Sequence, residues 1–233
     1  MNTKPTGFVV YEGPSEYNSY PIVAVLTLHS GAEKLGDIPQ LWILSQDRKP
    51  NAIRGYTPLA QSVCGHCPLQ DNGCYVTKYR APRQIWGKWV RGGYPHLPDG
   101  DLGRYCDTSV LRLGAFGDSA MLPFEVVWGL SKRVDHTLGY THQWKEEWFD
   151  SRHLWLCMAS ADTKADVELA ESRGYRWYGP HAHANAVQCP WYTRGIPCNK
   201  CKLCCGSCTS ARSVTSQSHG YKQKSFEAVA GLS

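Results

Sequence analysis

The cysteines constrain the fold of this 233-residue chain most strongly, because there are eleven and most lie in two short clusters. The first ten residues carry Lys4 but no long apolar run, so we expect no secretory signal. No stretch approaches the roughly 18 apolar residues that a membrane span needs, so we expect no membrane association. Closely spaced cysteines without an export signal predict metal ligation in a reducing cytoplasm rather than disulfides.

The C-terminal cysteine cluster has the spacing of a zinc site. In Cys198-x2-Cys201-x2-Cys204, tight turns can direct thiolates at one ion, and zinc takes four ligands in a tetrahedron. Cys189 is the predicted fourth ligand. Four thiolates leave no coordination position open, so we expect this Zn²⁺ to be structural. The alternatives to Cys189 as a ligand are Cys205, Cys208 and His219.

The N-terminal cluster, comprising Cys64, Cys67 and Cys74, is a candidate for a second metal site. Completed by His66 or Cys106, it can bind zinc or an iron–sulfur cluster. The Cys-x3-Cys-x2-Cys spacing of radical-SAM enzymes is absent. The sequence therefore leaves the metal at this site open.

Strands and helices alternate along the chain, which predicts parallel βαβ units. We expect an α/β fold, either a layer or an abbreviated (β/α) TIM-like barrel, with a C-terminal cysteine-rich zinc knuckle. The predicted strands are Pro21–Leu28, Leu41–Leu44, Val110–Phe116, Thr137–Trp144, Leu154–Ala159, Tyr175–Tyr178 and Ala186–Cys189. The predicted helices lie within 76–91, at Phe124–Arg133 and at Lys164–Ser172, the last ended by Gly174.

The same pattern divides the chain into two parts. Residues 1–188 are predicted to form an α/β catalytic domain, with a cysteine-containing and basic segment inserted at 60–95. Residues 189–233 are predicted to form a zinc-binding, cysteine-rich segment followed by a tail. The boundary is placed where cysteines begin to dominate the sequence.

Two stretches are basic, although the formal net charge is only +5. No acid lies between Asp71 and Asp99, and after Glu171 eight Lys or Arg accompany one acid, Glu227. Such stretches favour a polyanionic partner such as DNA, or they form a solvated positive face. Interleaved aromatic rings can stack on unpaired bases. The predicted DNA-binding residues are Lys78, Arg80, Arg83, Trp86, Lys88 and Arg91.

Two aspartates follow predicted strands, where the chemistry of parallel α/β folds gathers. Asp118 and Asp162 can divide the roles of nucleophile and general acid/base, or each can be a helix N-cap. The segment 139–144 supplies polar side chains and rings suited to a heterocyclic base. The predicted substrate-binding residues are Ser45, Gln46, Ser119, Thr141, His142, Gln143 and Ser160.

His181 and His183 support a competing interpretation. On a strand, residues two apart point the same way, so this pair can bind a divalent ion, as in rolling-circle nicking nucleases with a nucleophilic tyrosine. The candidate tyrosines are Tyr192 and Tyr221. A third interpretation is a zinc-bearing DNA-binding protein without catalysis, for which the basic stretches suffice.

Several motifs between about residues 40 and 220 occur in one combination. They are Cys64-x2-Cys67-x6-Cys74-Tyr75, Arg112-Leu-Gly-Ala-Phe-Gly-Asp118, Gly139-Tyr-Thr-His142, Cys189-Pro190 and Cys198-x2-Cys201-x2-Cys204. This combination resembles a family of bacteriophage and plasmid proteins. Some members are labelled replication-associated, and others are similar to the phage DNA-guanine transglycosylases, relatives of the tRNA-guanine transglycosylases. The chain is shorter than the tRNA enzymes and lacks their Cys-x-Cys-x2-Cys spacing.

The resemblance implies a zinc-bearing barrel that exchanges guanine in DNA for a 7-deazaguanine such as preQ0. The setting implied is the cytoplasm of an infected bacterium, where the modification helps phage DNA to evade restriction. One aspartate attacks C1′ to give a covalent glycosyl-enzyme while the other acts as acid and then base. By chain order Asp162 is the nucleophile and Asp118 the acid/base, and the reverse assignment stays open. A target base in double-stranded DNA must first be flipped out.

Overall fold

The computed structural model describes residues 4–70, 73–206, 211–217 and 223–232, which form a mixed α/β fold with two β-sheets. The strands in these ranges are β1 (Gly7–Pro14), β2 (Pro21–Thr27), β3 (Gln40–Ser45), β4 (Leu111–Phe116), β5 (Thr137–Leu138), β6 (Tyr140–Thr141), β7 (Met158–Ser160), β8 (Trp177–Gly179), β9 (Ala186–Gln188) and β10 (Ser213–Thr215). The helices are α1 (Pro58–Cys64), α2 (Ala81–Val90), α3 (Phe124–Ser131), α4 (Lys164–Ser172), α5 (Pro190–Arg194), α6 (Cys198–Cys201) and α7 (Gln223–Ala230).

The first sheet has the order β1-β2-β3-β4-β5, and the second has the order β6-β7-β8-β10-β9. β1, β2 and β3 pair antiparallel, whereas β3–β4, β4–β5 and every pair in the second sheet are parallel. Among the described residues no pairing joins β1 to β9. The α/β prediction is confirmed, whereas the closed TIM-like barrel is not found because the antiparallel hairpin β1–β2 occupies one end of the strand order.

Gly139 alone separates β5 from β6. Its amide donates to the carbonyl of Cys204 at 3.3 Å, and a Cβ at Gly139 would lie 2.9 Å from Cβ of Leu113. The strand predicted at Thr137–Trp144 is therefore interrupted at Gly139, and it ends at Thr141 before a 3₁₀ turn at Gln143–Lys145. This interruption brings the cysteine-rich segment against the strand.

The core lies mainly around the first sheet, because β2 and β3 are apolar along almost their whole length. Residues 22–26 of β2 and 41 and 43–44 of β3 have no exposed surface. Such uninterrupted apolar runs are typical of strands covered on both faces. β1 and α1 were missed by the sequence analysis. Leu154 and Trp155, predicted as the start of a strand, belong instead to a 3₁₀ helix (Ser151–Trp155) before β7.

Helix α4 begins and ends as the sequence predicts. Thr163 is its N-cap, since the Thr163 hydroxyl accepts from the Asp166 amide at 3.1 Å and the Asp166 carboxylate accepts from the Thr163 amide at 3.0 Å. Gly174, at φ +70°, follows the C-cap residue Arg173. Because Thr163 is the cap, Asp162 is not, and its carboxylate is left for another role.

Replacing Thr163 with Ala removes this reciprocal cap. We expect the free energy of unfolding to fall by about 1 kcal/mol, and thermal denaturation should record a Tm lower by roughly 3 °C. Thr163→Ser keeps the hydroxyl and is the matched control, which should stay close to wild type. Equal stability of the Ala and Ser variants would mean that the cap contributes nothing.

Candidate functional site

A cavity of about 320 Å³ opens where several parallel strands end at their carboxyl termini. Asp118 follows β4, His142 follows β6 and Asp162 follows β7, and all three line the cavity. Small-molecule sites typically occupy about 300–1,000 Å³. The sequence prediction that side chains from separate strand ends meet at one place is confirmed for these three residues.

The carboxylate of Asp118 is fully engaged in hydrogen bonds to the protein. Oδ1 accepts from the Ala120 amide at 3.0 Å, as the N-cap of the 3₁₀ turn that begins at Ser119. Oδ2 accepts from the Thr141 hydroxyl at 3.0 Å and from the His142 amide at 2.9 Å. The Gln143 side-chain amide donates to the same oxygen at 3.2 Å. Asp118 therefore joins the ends of β4 and β6.

Asp162 and His142 form a separate pair inside the cavity. Nε2 of His142 lies 2.9 Å from Oδ2 of Asp162, and the Asp162 side chain is only 6% exposed. Burial alone would lower the pKa of His142, but the neighbouring Cys67 and Asp162 raise this pKa well above its ordinary value. Unlike Asp118, the Asp162 carboxylate caps no helix.

Gln143 connects the N-terminal cysteine cluster to this site. Its Oε1 accepts from the His66 amide at 2.9 Å, and its Nε2 donates to the Cys64 carbonyl at 3.0 Å. Gly65, at φ +53°, gives the Gln143 side chain its space, because a Cβ there would lie 2.2 Å from Oε1. Gln143 is fully buried, so it positions the backbone rather than binding a substrate.

All three cysteines of the N-terminal cluster line the cavity. Burial is the main cause that raises the pKa of the Cys64 and Cys74 thiols, and the neighbouring Cys67 raises the pKa of both further. Cys67 also lines the cavity and lies close enough to His142 to raise the pKa of its ring. The three thiols thus share one environment next to the His142–Asp162 pair.

Neither predicted fourth ligand of this cluster lies in the cavity. Nδ1 of His66 is 2.8 Å from Glu146, and Nε2 is 2.7 Å from the Tyr17 hydroxyl. Cys106 packs against the core of the first sheet, and its thiol donates to the Leu102 carbonyl. These partners point both candidates away from the other three cysteines.

The cavity also contains aromatic rings and a cation that the sequence analysis did not assign to the site. Tyr140 and Tyr178 stack with their centroids 4.1 Å apart at 28°. Arg112 donates to the Tyr75 hydroxyl at 2.8 Å, and among the described residues no carboxylate pairs with this guanidinium within 4 Å. Every second residue of β4, Arg112, Gly114 and Phe116, lines the cavity, and this alternation is the signal that could have found Arg112.

The C-terminal cysteine cluster packs against the second sheet through Cys189 and Cys204. Burial raises the pKa of the Cys204 thiol to about 12, and its hydrogen bond to Tyr140 opposes this shift. The neighbouring thiols of Cys198, Cys189 and Cys201 raise the pKa of Cys204 further. The four predicted zinc ligands are therefore near one another. Of the further candidates, Cys205 is disulfide-bonded and so is not a free thiolate ligand, contrary to the prediction of no disulfides, and Cys208 and His219 lie outside the described residues.

Within the ranges 4–70, 73–206, 211–217 and 223–232, no group of three or more His, Cys, Asp or Glu side chains is arranged to hold a metal ion. The donor chemistry of the C-terminal cluster nevertheless fits zinc, since it offers four neighbouring thiols. The zinc knuckle stays a prediction.

Several predicted substrate-binding residues lie elsewhere. The Ser45 hydroxyl accepts from the Asp47 amide at 3.1 Å, and Gln46 donates to the Ile22 carbonyl at 2.7 Å, so both stabilise the turn after β3. Ser119 is 1% exposed within its 3₁₀ turn, and Thr141 is bonded to Asp118. Of the predicted substrate-binding set, His142 and Ser160 line the cavity.

The six predicted DNA-binding residues have three kinds of surroundings around α2. Arg80, Arg83 and Arg91 are exposed on or beside the helix. Lys78 lines the cavity and donates to the Ile53 carbonyl. The other two are packed: the Trp86 indole donates to the Ser45 carbonyl at 2.8 Å, and the Lys88 ammonium lies 4.8 Å from the Tyr94 ring centroid.

The histidine pair of the nuclease interpretation does not converge. Residues 181–185 are not a strand, so the expected parallel orientation is lost. The buried His181 ring contacts the carbonyls of Asp162 and Ala230, whereas His183 lies 3.3 Å from Glu171. Tyr192, on α5, accepts a hydrogen bond from Lys34, and Tyr221 lies outside the described residues.

No protein-family model, curated protein or solved structure matches this chain. No helix within the described ranges has the length and apolar character to cross a bilayer.

Proposed function

We propose that this protein is a DNA-guanine transglycosylase, which exchanges guanine in DNA for a 7-deazaguanine base such as preQ0. The observation that carries the proposal is the Asp162–His142 pair, at 2.9 Å, inside a cavity large enough for a purine. A carboxylate beside a proton-carrying imidazole supplies the nucleophile and the acid/base that glycosyl transfer needs. The proposal thus moves the acid/base role from Asp118 to His142.

The cavity wall suits a flat heterocycle. The Tyr140–Tyr178 stack offers an aromatic surface, and Ser160 adds a hydroxyl on the same wall. Stacking on aromatic side chains, with hydrogen bonds to the base edge, is how flipped bases are held. In this proposal guanine and its replacement occupy this position in turn.

The reaction proceeds in two displacements. The Asp162 carboxylate attacks C1′ of the deoxyribose, the C1′–N9 bond breaks, and its electron pair leaves with guanine, which takes a proton from His142. The incoming 7-deazaguanine then loses its pyrrole proton to His142 and attacks C1′, releasing Asp162. Asp118 acts as a positioning residue, since it accepts the His142 backbone amide.

DNA is the proposed macromolecular partner. The exposed Arg80, Arg83 and Arg91 place positive charge on α2, where phosphates can be contacted without base specificity. Arg112, inside the cavity and without a carboxylate partner among the described residues, can neutralise the phosphate of the flipped nucleotide. Partly burying a guanidinium that has no carboxylate partner is costly, so an anionic ligand there would be favoured.

A structural zinc at Cys189, Cys198, Cys201 and Cys204 completes the proposal. Cys204 accepts the Gly139 amide through its carbonyl, and Arg176 donates to the Leu203 carbonyl at 2.7 Å. A bound ion would therefore fix the segment that contacts the interruption between β5 and β6. All the coordination positions would be filled, so the zinc supports the fold and takes no part in the exchange.

The test is nucleoside mass spectrometry of duplex DNA incubated with the purified protein and preQ0. We expect a 7-deazaguanine deoxynucleoside and an equal amount of released guanine. DNA that stays unmodified, although the same preparation binds it in a gel-shift assay, would contradict the exchange activity. That outcome would favour a DNA-binding protein without catalysis.

A further inference from the structure

We infer that Tyr17 is an activated nucleophile, which His66 and Glu146 prepare to accept an acyl group from an activated carboxylic ester. This inference goes beyond the proposed base exchange and does not depend on it, because none of the three residues lines the cavity. Tyr17 lies between β1 and β2, His66 follows α1, and Glu146 follows the 3₁₀ turn at Gln143–Lys145. Their side chains meet in one hydrogen-bonded series, here called the Tyr17 relay.

The Tyr17 relay consists of a hydroxyl, an imidazole and a carboxylate. Oη of Tyr17 lies 2.7 Å from Nε2 of His66, and Nδ1 of His66 lies 2.8 Å from Oε2 of Glu146. An ionised carboxylate can only accept hydrogen bonds, so in the neutral ring Nδ1 carries the proton and Nε2 is left as an acceptor. The Tyr17 hydroxyl therefore donates to a ring nitrogen that can take its proton, which is how a base activates a hydroxyl nucleophile.

Contacts with the rest of the protein hold the relay in place. Gln143 fixes two of its members, because its Oε1 accepts from the His66 amide and its carbonyl accepts from the Glu146 amide, both at 2.9 Å. The Trp148 ring packs beside Tyr17, with the ring centroids 5.4 Å apart. A nucleophile and base that are already in position lose little entropy on reaching the geometry of reaction.

The relay lies at the surface. The side chains of His66 and Glu146 are 34% and 27% exposed, and Tyr17 is half-buried. Tyr56, which is 55% exposed, stacks on His66 with the ring centroids 6.2 Å apart. A small molecule can therefore reach the relay from solvent, and the Tyr56 ring offers it an aromatic surface.

Acidic neighbours select the kind of electrophile that the relay accepts. The exposed Glu16 and Glu147 are adjacent in the chain to Tyr17 and Glu146. Negative charge repels phosphate esters, whereas an uncharged carbonyl compound meets no such repulsion. The acyl donor is therefore an uncharged ester, and the aromatic surface favours one with an aryl leaving group.

The acylation step needs no reactant other than the ester. Oη of Tyr17 forms a bond to the carbonyl carbon, and its proton passes to Nε2 of His66. The bond between this carbon and the leaving oxygen then breaks, and the leaving oxygen takes the proton from His66. The products are an acyl ester of Tyr17, a free alcohol or phenol and a neutral His66. Glu146 is a positioning residue, because it keeps the ring proton on Nδ1 and stabilises the imidazolium formed between the two proton transfers.

The experiment measures the acetylation rate of individual tyrosines. The purified full chain is incubated with p-nitrophenyl acetate at neutral pH, quenched at intervals and digested, and peptide fragmentation gives the acetylated fraction of each tyrosine. Tyr20 is the internal control, because it lies in the same turn as Tyr17 and is 41% exposed. Because general-base assistance typically contributes ~10²–10⁴-fold, we expect Tyr17 to be acetylated at least ~100-fold faster than Tyr20.

His66→Gln is the diagnostic variant, and His29→Gln is its matched control, since His29 also pairs with a carboxylate, that of Asp37, at 2.9 Å. We expect His66→Gln to acetylate Tyr17 at about the rate of Tyr20, with unchanged circular dichroism, and His29→Gln to keep the wild-type rate. Fast acetylation that persists in a folded His66→Gln protein would overturn the inference. Equal rates for Tyr17 and Tyr20 in wild type would also overturn it, whatever the variants do, because the relay would then only connect three segments of the fold.

Discussion

Replacing Asp162 with Asn is expected to abolish base exchange while the protein stays folded. The amide has nearly the same shape as the carboxylate but cannot attack C1′, and loss of a covalent nucleophile typically lowers kcat by at least ~10⁴-fold. Asp162 caps no helix, so the substitution removes one contact, with His142, from the native state. We expect Tm to change by no more than roughly 4 °C.

The measurement is the rate of guanine release from DNA in the presence of preQ0. A second readout is the intact mass of protein quenched without preQ0, where wild type should carry a DNA adduct and Asp162→Asn should not. Asp135→Asn is the matched control, because Asp135 is exposed, does not line the cavity and should keep wild-type activity. Exchange by the Asp162 variant within tenfold of wild type would remove Asp162 from the role of nucleophile.

The sequence was sufficient to predict that the residues after β4 and β7 lie at one cavity. Asp118 and Asp162 each follow an apolar run, and parallel strands bring such positions together whatever the sheet curvature. The same reasoning failed for Ser45 at the end of β3. The Ser45 hydroxyl accepts a hydrogen bond from the Asp47 amide in the following turn, so it is not available to a substrate. A strand end predicts proximity to the edge of a sheet, not the direction of the side chain.

The pairing of side chains was beyond sequence reasoning. Gln143 and Thr141 resemble base-recognition residues in the sequence, yet both bind Asp118, since three neighbouring donors and one buried carboxylate satisfy one another.

The closed barrel was predicted wrongly for a related reason. Alternation of strands and helices indicates parallel pairing, but closure depends on β1 and β2, whose antiparallel pairing adds a hairpin at one end of the sheet.

Asp118 was predicted as a catalytic residue, and its surroundings lead to a different expected result. Its two oxygens accept four hydrogen bonds, from Ala120, Thr141, His142 and Gln143. An Asn has one oxygen and an NH₂ group, so either orientation places the NH₂ against donors of the protein. Hydrogen bonds to charged groups contribute about 1.5–3 kcal/mol each, and buried donors left without an acceptor add to the loss.

We therefore expect Asp118→Asn to lower the free energy of unfolding by about 4 kcal/mol, with a fall in Tm of roughly 10 °C. Urea denaturation and thermal melting measure the effect, with Asp162→Asn as the matched control of much smaller effect. Base exchange measured well below the lowered Tm should retain part of its rate, because His142 and Asp162 are both present. A fully folded Asp118→Asn protein of wild-type stability but no activity would restore the acid/base role to Asp118, because only a function in the reaction could then explain the loss.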